Sequence, residues 1–73
     1  MNSHYSMSIQ WSDDDQVFIV SLPEFGLFAK THGDTYEEAV RKGSECLESL
    51  IETFQADGKA LPEPVRFQGS VPA

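Results

Sequence analysis

Between Val17 and Leu22 the chain is apolar at every position except Ser21, and Pro23 follows at once. Successive side chains of an extended strand point to opposite faces, so Val17 and Ile19 share one side while Phe18, Val20 and Leu22 share the other. A strand that is apolar on both faces belongs inside a sheet or needs its outer face covered. The segment before it reads differently. From Tyr5 to Ser12, the side chains of Tyr5, Met7, Ile9 and Trp11 alternate with Ser6, Ser8, Gln10 and Ser12, as in a half-buried strand. Asp13, Asp14 and Asp15 lie between the two runs and favour a turn, which predicts an antiparallel hairpin.

Pro23 and Gly26 bracket the next connection, and Leu27 to Thr31 then reads as a third strand ending at Gly33. A long helix should follow. Thr35 with Glu38 three residues later has the capping-box pattern, and Glu37 adds negative charge at the positive end of the helix dipole. Tyr36, Ala39, Val40, Gly43, Cys46, Leu47, Leu50, Ile51 and Phe54 recur at spacings of three and four, which gathers them on one helix face. Gly58 suits the residue just beyond the helix, and Pro62 and Pro64 prevent an early restart. Val65 to Gln68 alternates once more as a fourth, edge strand, and Gly69 to Ala73 reads as a flexible tail. The expected fold is therefore α+β: a small two-layer β-β-β-α-β domain, with an antiparallel three-stranded meander, one long helix on one face and a fourth strand at an edge. One domain spans residues 1–73, with its core over about 4–68. If the helix covers the face bearing Val17 and Ile19, then Phe18, Val20 and Leu22 form an apolar patch open to a second copy of the chain.

A domain of 73 residues buries only about 60% of its unfolded surface, so association would help to stabilise it. The single cysteine, Cys46, has no partner for an intramolecular disulfide, and this favours a reducing, cytoplasmic setting. The N-terminal residues carry neither the basic region nor the apolar run of a secretory leader or membrane span. Twelve acidic residues against five basic ones give a net charge of -7. That balance opposes binding to phosphate backbones, and Lys30, Arg41, Lys42, Lys59 and Arg66 do not cluster to offset it. It suits a basic protein partner, whose approach the opposite charge accelerates.

The residue types that carry catalysis are present without the spacing that catalysis needs. Asp13, Asp14 and Asp15 point in different directions and lack the alternate-position ligands, central glycine and distal glutamate of a calcium loop. His32 near Asp34 has no Ser or Cys nucleophile in a local motif, and Asp34 reads as a helix-entry residue. Cys46 falls on the apolar helix face, where a thiolate is disfavoured. No glycine spacing matches a phosphate-binding loop or a dinucleotide fingerprint. No enzyme activity, cofactor or metal is expected.

Tyr5 to Trp11, Phe18 to Pro23, Thr31-His32-Gly33-Asp34-Thr35, Glu37-Glu38-Ala39 and Leu61-Pro62-Glu63-Pro64 occur in an order and spacing that resembles the HicB antitoxin family of bacterial type II toxin–antitoxin systems. The resemblance implies a partial ribonuclease H-like fold. It also implies a protein that binds HicA, a small basic toxin that cleaves messenger RNA, and covers its active site without catalysing a reaction. Nucleases of the ribonuclease H architecture hold two metal ions on strand carboxylates, and the expected strands here contain none. Many HicB proteins add a C-terminal DNA-binding domain. This chain ends before one could begin, so direct contact with nucleic acid is not expected. Family members commonly assemble, and a homo-oligomer, a dimer or tetramer, is expected here. The toxin-facing residues are expected to be the loop Pro23, Glu24, Phe25 and Gly26 with the helix carboxylates Glu45, Glu48 and Glu52. The rival reading is an orphan interaction or regulatory module that keeps the fold without a toxin.

Overall fold

The turn after the first strand is built by its own polar side chains. Ser12 Oγ accepts the amide of Asp15 at 3.2 Å, Gln16 Nε2 donates to the carbonyl of Asp13 at 2.7 Å, and Gln16 adopts a left-handed φ of 56°. These bonds hold residues 13–16 as the tight connection of a hairpin. In the computed structural model, which describes residues 4–72, the hairpin joins β1 (Ser8–Ser12) to β2 (Val17–Ser21). A short 3₁₀ turn over Pro23–Phe25 leads to β3 (Lys30–Gly33), and a single helix, α1 (Tyr36–Ala56), follows. The sheet is antiparallel with order β1-β2-β3, so β2 is central, as its two-sided apolar pattern requires.

The register decides which face the helix covers. Ile9, Val20 and Thr31 lie across from one another, as do Trp11, Phe18 and Gly33. This is the helix side: Val20 and Leu22 are wholly buried, together with Ala39, Leu47 and Ile51. Leu22, Leu47 and Ile51 form the centre of the core, with Tyr5, Met7, Phe25, Ala29, Cys46 and Leu50 packed around them. Two glycines allow the helix to lie close to the sheet. A Cβ on Gly33 would stand 2.5 Å from the Ala39 nitrogen, and one on Gly43 would meet Met7 Sδ at 2.8 Å and Val20 Cγ1 at 2.9 Å. Phe18, Val20 and Leu22 are therefore not an outward oligomer patch. The face bearing Val17 and Ile19 is the outer one, and hydrophobicity alone could not separate the faces because β2 is apolar on both.

Both helix ends are capped as the sequence suggests. Thr35 Oγ1 accepts the amide of Glu38 at 3.1 Å, and Glu38 Oε1 reaches back to the amide of Asp34 at 3.1 Å, one residue before the cap. At the other end the amide of Lys59 donates to the carbonyl of Phe54 at 2.9 Å and that of Gly58 to Gln55 at 3.2 Å. With Gly58 at a φ of 69°, this is a Schellman motif.

The fourth strand is absent among the described residues. Residues 65–68 are irregular, and the amide of Val65 donates to Glu24 Oε2 at 2.9 Å instead of to a neighbouring strand. Pro62 and Pro64 also supply no backbone donor to a ladder. The third strand is shifted. It starts at Lys30 because residues 26–29 form a turn, with the amide of Ala29 donating to the Gly26 carbonyl at 3.3 Å.

Candidate partner-binding surface

The loop between β2 and β3 is fastened at its base and held from within. The amide of Leu22 donates to the Ala29 carbonyl at 3.0 Å, closing the loop. Inside it, Glu24 accepts the amide of Ser6 at 3.1 Å on Oε1 and 3.0 Å on Oε2, and its Oε2 also takes the amide of Val65. Partial burial works against the charge on Glu24, yet the amides of Val65 and Ser6 outweigh it, and the carboxyl titrates below its ordinary range. Phe25 is half-buried, edge-on to Tyr5 at 4.9 Å between ring centroids and perpendicular to Phe54 at 5.4 Å. Tyr5 in turn donates its hydroxyl to the Pro62 carbonyl at 2.7 Å.

Of the four loop residues expected to face a toxin, Glu24 and Phe25 thus tie the N-terminal segment, the loop and the C-terminal segment together. Pro23 and Gly26 are exposed. Gly26 has a φ of 103°, a conformation that L side chains rarely adopt, and this lets the chain turn sharply outward. The side chains placed in solvent are the next two. Leu27 is 81% exposed and Phe28 97% exposed, adjacent apolar groups at the tip of the loop. Sequence reasoning assigned them to a strand. The signal against that was present in Gly26 directly before them.

Glu45, Glu48 and Glu52 are all exposed on α1, away from the buried row Ala39, Gly43, Leu47 and Ile51. Glu45 is paired with Arg41 at 3.6 Å, in an ion pair open to water. Glu38 sits nearer the helix start, its carboxyl held below the ordinary range by the Asp34 amide and by Lys42, whose Nζ lies 3.4 Å away. The link between the loop and the helix is the Phe25–Phe54 contact, which sets the loop against the last turns of α1 beyond Glu52.

The outer sheet face carries a shallow open depression of about 300 Å³ lined by Asp15, Val17, Ile19 and His32. His32 is exposed there, on the opposite side of the sheet from the helix. Among the described residues no group of three His, Cys, Asp or Glu side chains is placed to hold a metal ion. No described helix is long and apolar enough to cross a membrane. Neither a family model, nor a curated protein, nor a solved structure matches this chain.

Proposed function

We propose that this domain is a HicB-like antitoxin that binds a small basic HicA-type ribonuclease and inhibits it by covering its RNA-binding face. Inhibition by occupancy asks for a complementary surface and no reacting group. The observation that carries the reading is the pairing of an apolar loop tip, Leu27 and Phe28, with an acidic surface of net charge -7. An exposed aromatic anchor on a fastened loop suits the centre of an interface, and the overall negative charge of the domain competes with RNA for cations on the partner. The meander followed by a capped helix agrees with the fold that the HicB resemblance implies. The proposed contact is accordingly the exposed part of the loop, Pro23, Gly26, Leu27 and Phe28, with the exposed helix carboxylates Glu48 and Glu52 as acidic contacts on α1.

Co-expression with the product of the neighbouring small open reading frame, followed by affinity capture and growth rescue, tests the proposal. Retention of the partner together with loss of its toxicity supports the antitoxin. Failure of both leaves the orphan interaction module as the reading of the fold. Self-association as a dimer or tetramer belongs to the same proposal, with the outer-face residues Val17 and Ile19 as its contact. Sedimentation equilibrium on Ile19→Asp tests that part.

A further inference from the structure

At the end of the sheet nearest the start of α1, three aromatic rings from three elements are stacked. Trp11 of β1 stands edge-on to Phe18 of β2 at 5.0 Å with an interplanar angle of 70°, and Phe18 lies 4.3 Å from Tyr36 of α1 at 31°. The ends of the row are open to solvent: Trp11 is 48% exposed and Tyr36 64%. Hydrophobic spacing on the helix predicts burial of Tyr36, and the structure instead leaves it on the shoulder of the domain. The row has a carboxylate beside it, because the Trp11 indole N–H donates to Asp13 Oδ1 at 2.9 Å and fixes that group at the ring edge.

The chain supplies no cation to this row among its described contacts. Arg41 and Lys42 are engaged with Glu45 and Glu38. Lys59 lies over Phe54, at 5.9 Å from the ring centroid. Lys30 pairs with Ser21 in the register and so falls on the outer face of the sheet. A tryptophan face with an adjoining carboxylate suits a guanidinium, since it can stack on the ring while it pairs with the acid. Phosphate ligands are disfavoured there by Asp13 and by the overall charge, and the self-association proposed above uses Val17 and Ile19 on the opposite face of the sheet.

We infer that Trp11, Phe18 and Tyr36 with Asp13 form a recognition site for an arginine side chain on a basic protein partner. The inference rests on the reading of a basic partner given above and names a second contact for it, away from the Leu27–Phe28 tip. The guanidinium stacks on the exposed indole and pairs with Asp13, while Tyr36 and Val40, one helical turn apart and both largely exposed, border its aliphatic stem.

Trp11 is the only tryptophan in the chain, so its indole N–H is a single resolved reporter in nitrogen–proton correlation spectra. The full chain is titrated with a blocked glycine pentapeptide carrying one central arginine, and with the same peptide carrying the neutral isostere citrulline. The expected result is a shift of the Trp11 indole signal that grows with the concentration of the arginine peptide and is weaker by about two- to five-fold with citrulline, the range of an exposed cation–π contact. Asp13→Asn, in an exposed turn, should reduce the arginine preference without lowering the melting temperature. Equal shifts with both peptides, or none with either, overturn the inference. So does a concentration-dependent Trp11 shift in the free chain that Arg66→Ala abolishes, since the occupant is then a second copy. An arginine-selective shift combined with failure to capture or neutralise a toxin overturns the antitoxin reading and leaves this site standing. A captured toxin whose complex moves neither Trp11 nor responds to Asp13→Asn does the reverse.

Discussion

Glu24 receives the backbone amide of Ser6 on both of its carboxylate oxygens, across 18 positions of sequence. Because the same group also accepts the Val65 amide, one side chain joins the entry to β1, the loop and the segment after the helix. Ionisation is what makes it an acceptor on both oxygens, and its lowered pKa shows that the fold favours the charged form. Such a group contributes stability above the ordinary glutamate pKa of about 4.3, and that contribution is lost as pH falls through the lowered folded value. Glu24→Gln keeps one acceptor oxygen and replaces the other with a donor that faces a backbone amide. It should cost about 1 kcal/mol at pH 7, less than is usual for bonds to a charged group because water reaches the site. Thermal melts from pH 7 to pH 2 should show the gap between the two proteins closing below about pH 4. A constant gap would remove Glu24 from the account of acid sensitivity.

Gly33 is a steric glycine, as its added Cβ would lie 2.5 Å from the Ala39 nitrogen and 2.8 Å from the Ala39 Cα. Backbone cannot yield as a side chain can, so Gly33→Ala should cost about 2–3 kcal/mol, at the upper end for overpacking. Gly43→Ala meets the Met7 side chain and Val20 Cγ1, and an alanine at this helical position recovers up to about 1 kcal/mol of helix propensity. The expected order of urea midpoints is wild type, then Gly43→Ala, then Gly33→Ala. An inverted order would mean that Met7 and Val20 are the more rigid neighbours.

Where local chemistry decides a feature, the sequence was sufficient to read it. Thr35 and Glu38 cap the helix through their own side chains, and Gly58 ends it through its positive φ. What could not be read are features set by distant groups. Val65 to Gln68 has the alternation of a strand, but its first amide is taken by Glu24, 41 positions away. Leu27 and Phe28 have strand composition, yet the turn that follows Gly26 places them outside the sheet. The face of β2 that the helix covers depends on the close approach at Gly33 and Gly43, and strand periodicity is blind to that contact. The candidate surface suffered most for this reason. Its expected loop residues Glu24 and Phe25 turn inward, while Trp11 and Tyr36 lie on the apolar faces of their elements, as their spacing predicts, yet at an end of the domain where their rings stay open to solvent.

Thr35 supplies a side-chain acceptor to the Glu38 amide in an exposed setting, so its contribution can be measured without disturbing the core. Thr35→Ala should destabilise the domain by about 1 kcal/mol, and Thr35→Ser or Thr35→Asp should retain most of the cap. Circular dichroism melts of the three variants provide the comparison. Equal loss in all three would point to packing of the threonine methyl and away from the hydrogen bond.

Phe28 separates binding from folding more cleanly than any other position in the loop. Its ring is 97% exposed, so Phe28→Ser removes almost no buried surface and should change the unfolding free energy by less than about 0.5 kcal/mol. An aromatic anchor at the centre of an interface is worth about 2 kcal/mol or more when truncated, equivalent to a loss of about thirty-fold in affinity. Calorimetric titration of the captured basic partner into wild-type and Phe28→Ser protein measures this difference directly. Because the neighbouring Phe25 is packed on Tyr5 and Phe54, Phe25→Ser should show the opposite pattern, with a clear loss of stability. Unchanged affinity in Phe28→Ser would exclude the loop tip as the contact and shift the interface to the helix carboxylates Glu48 and Glu52.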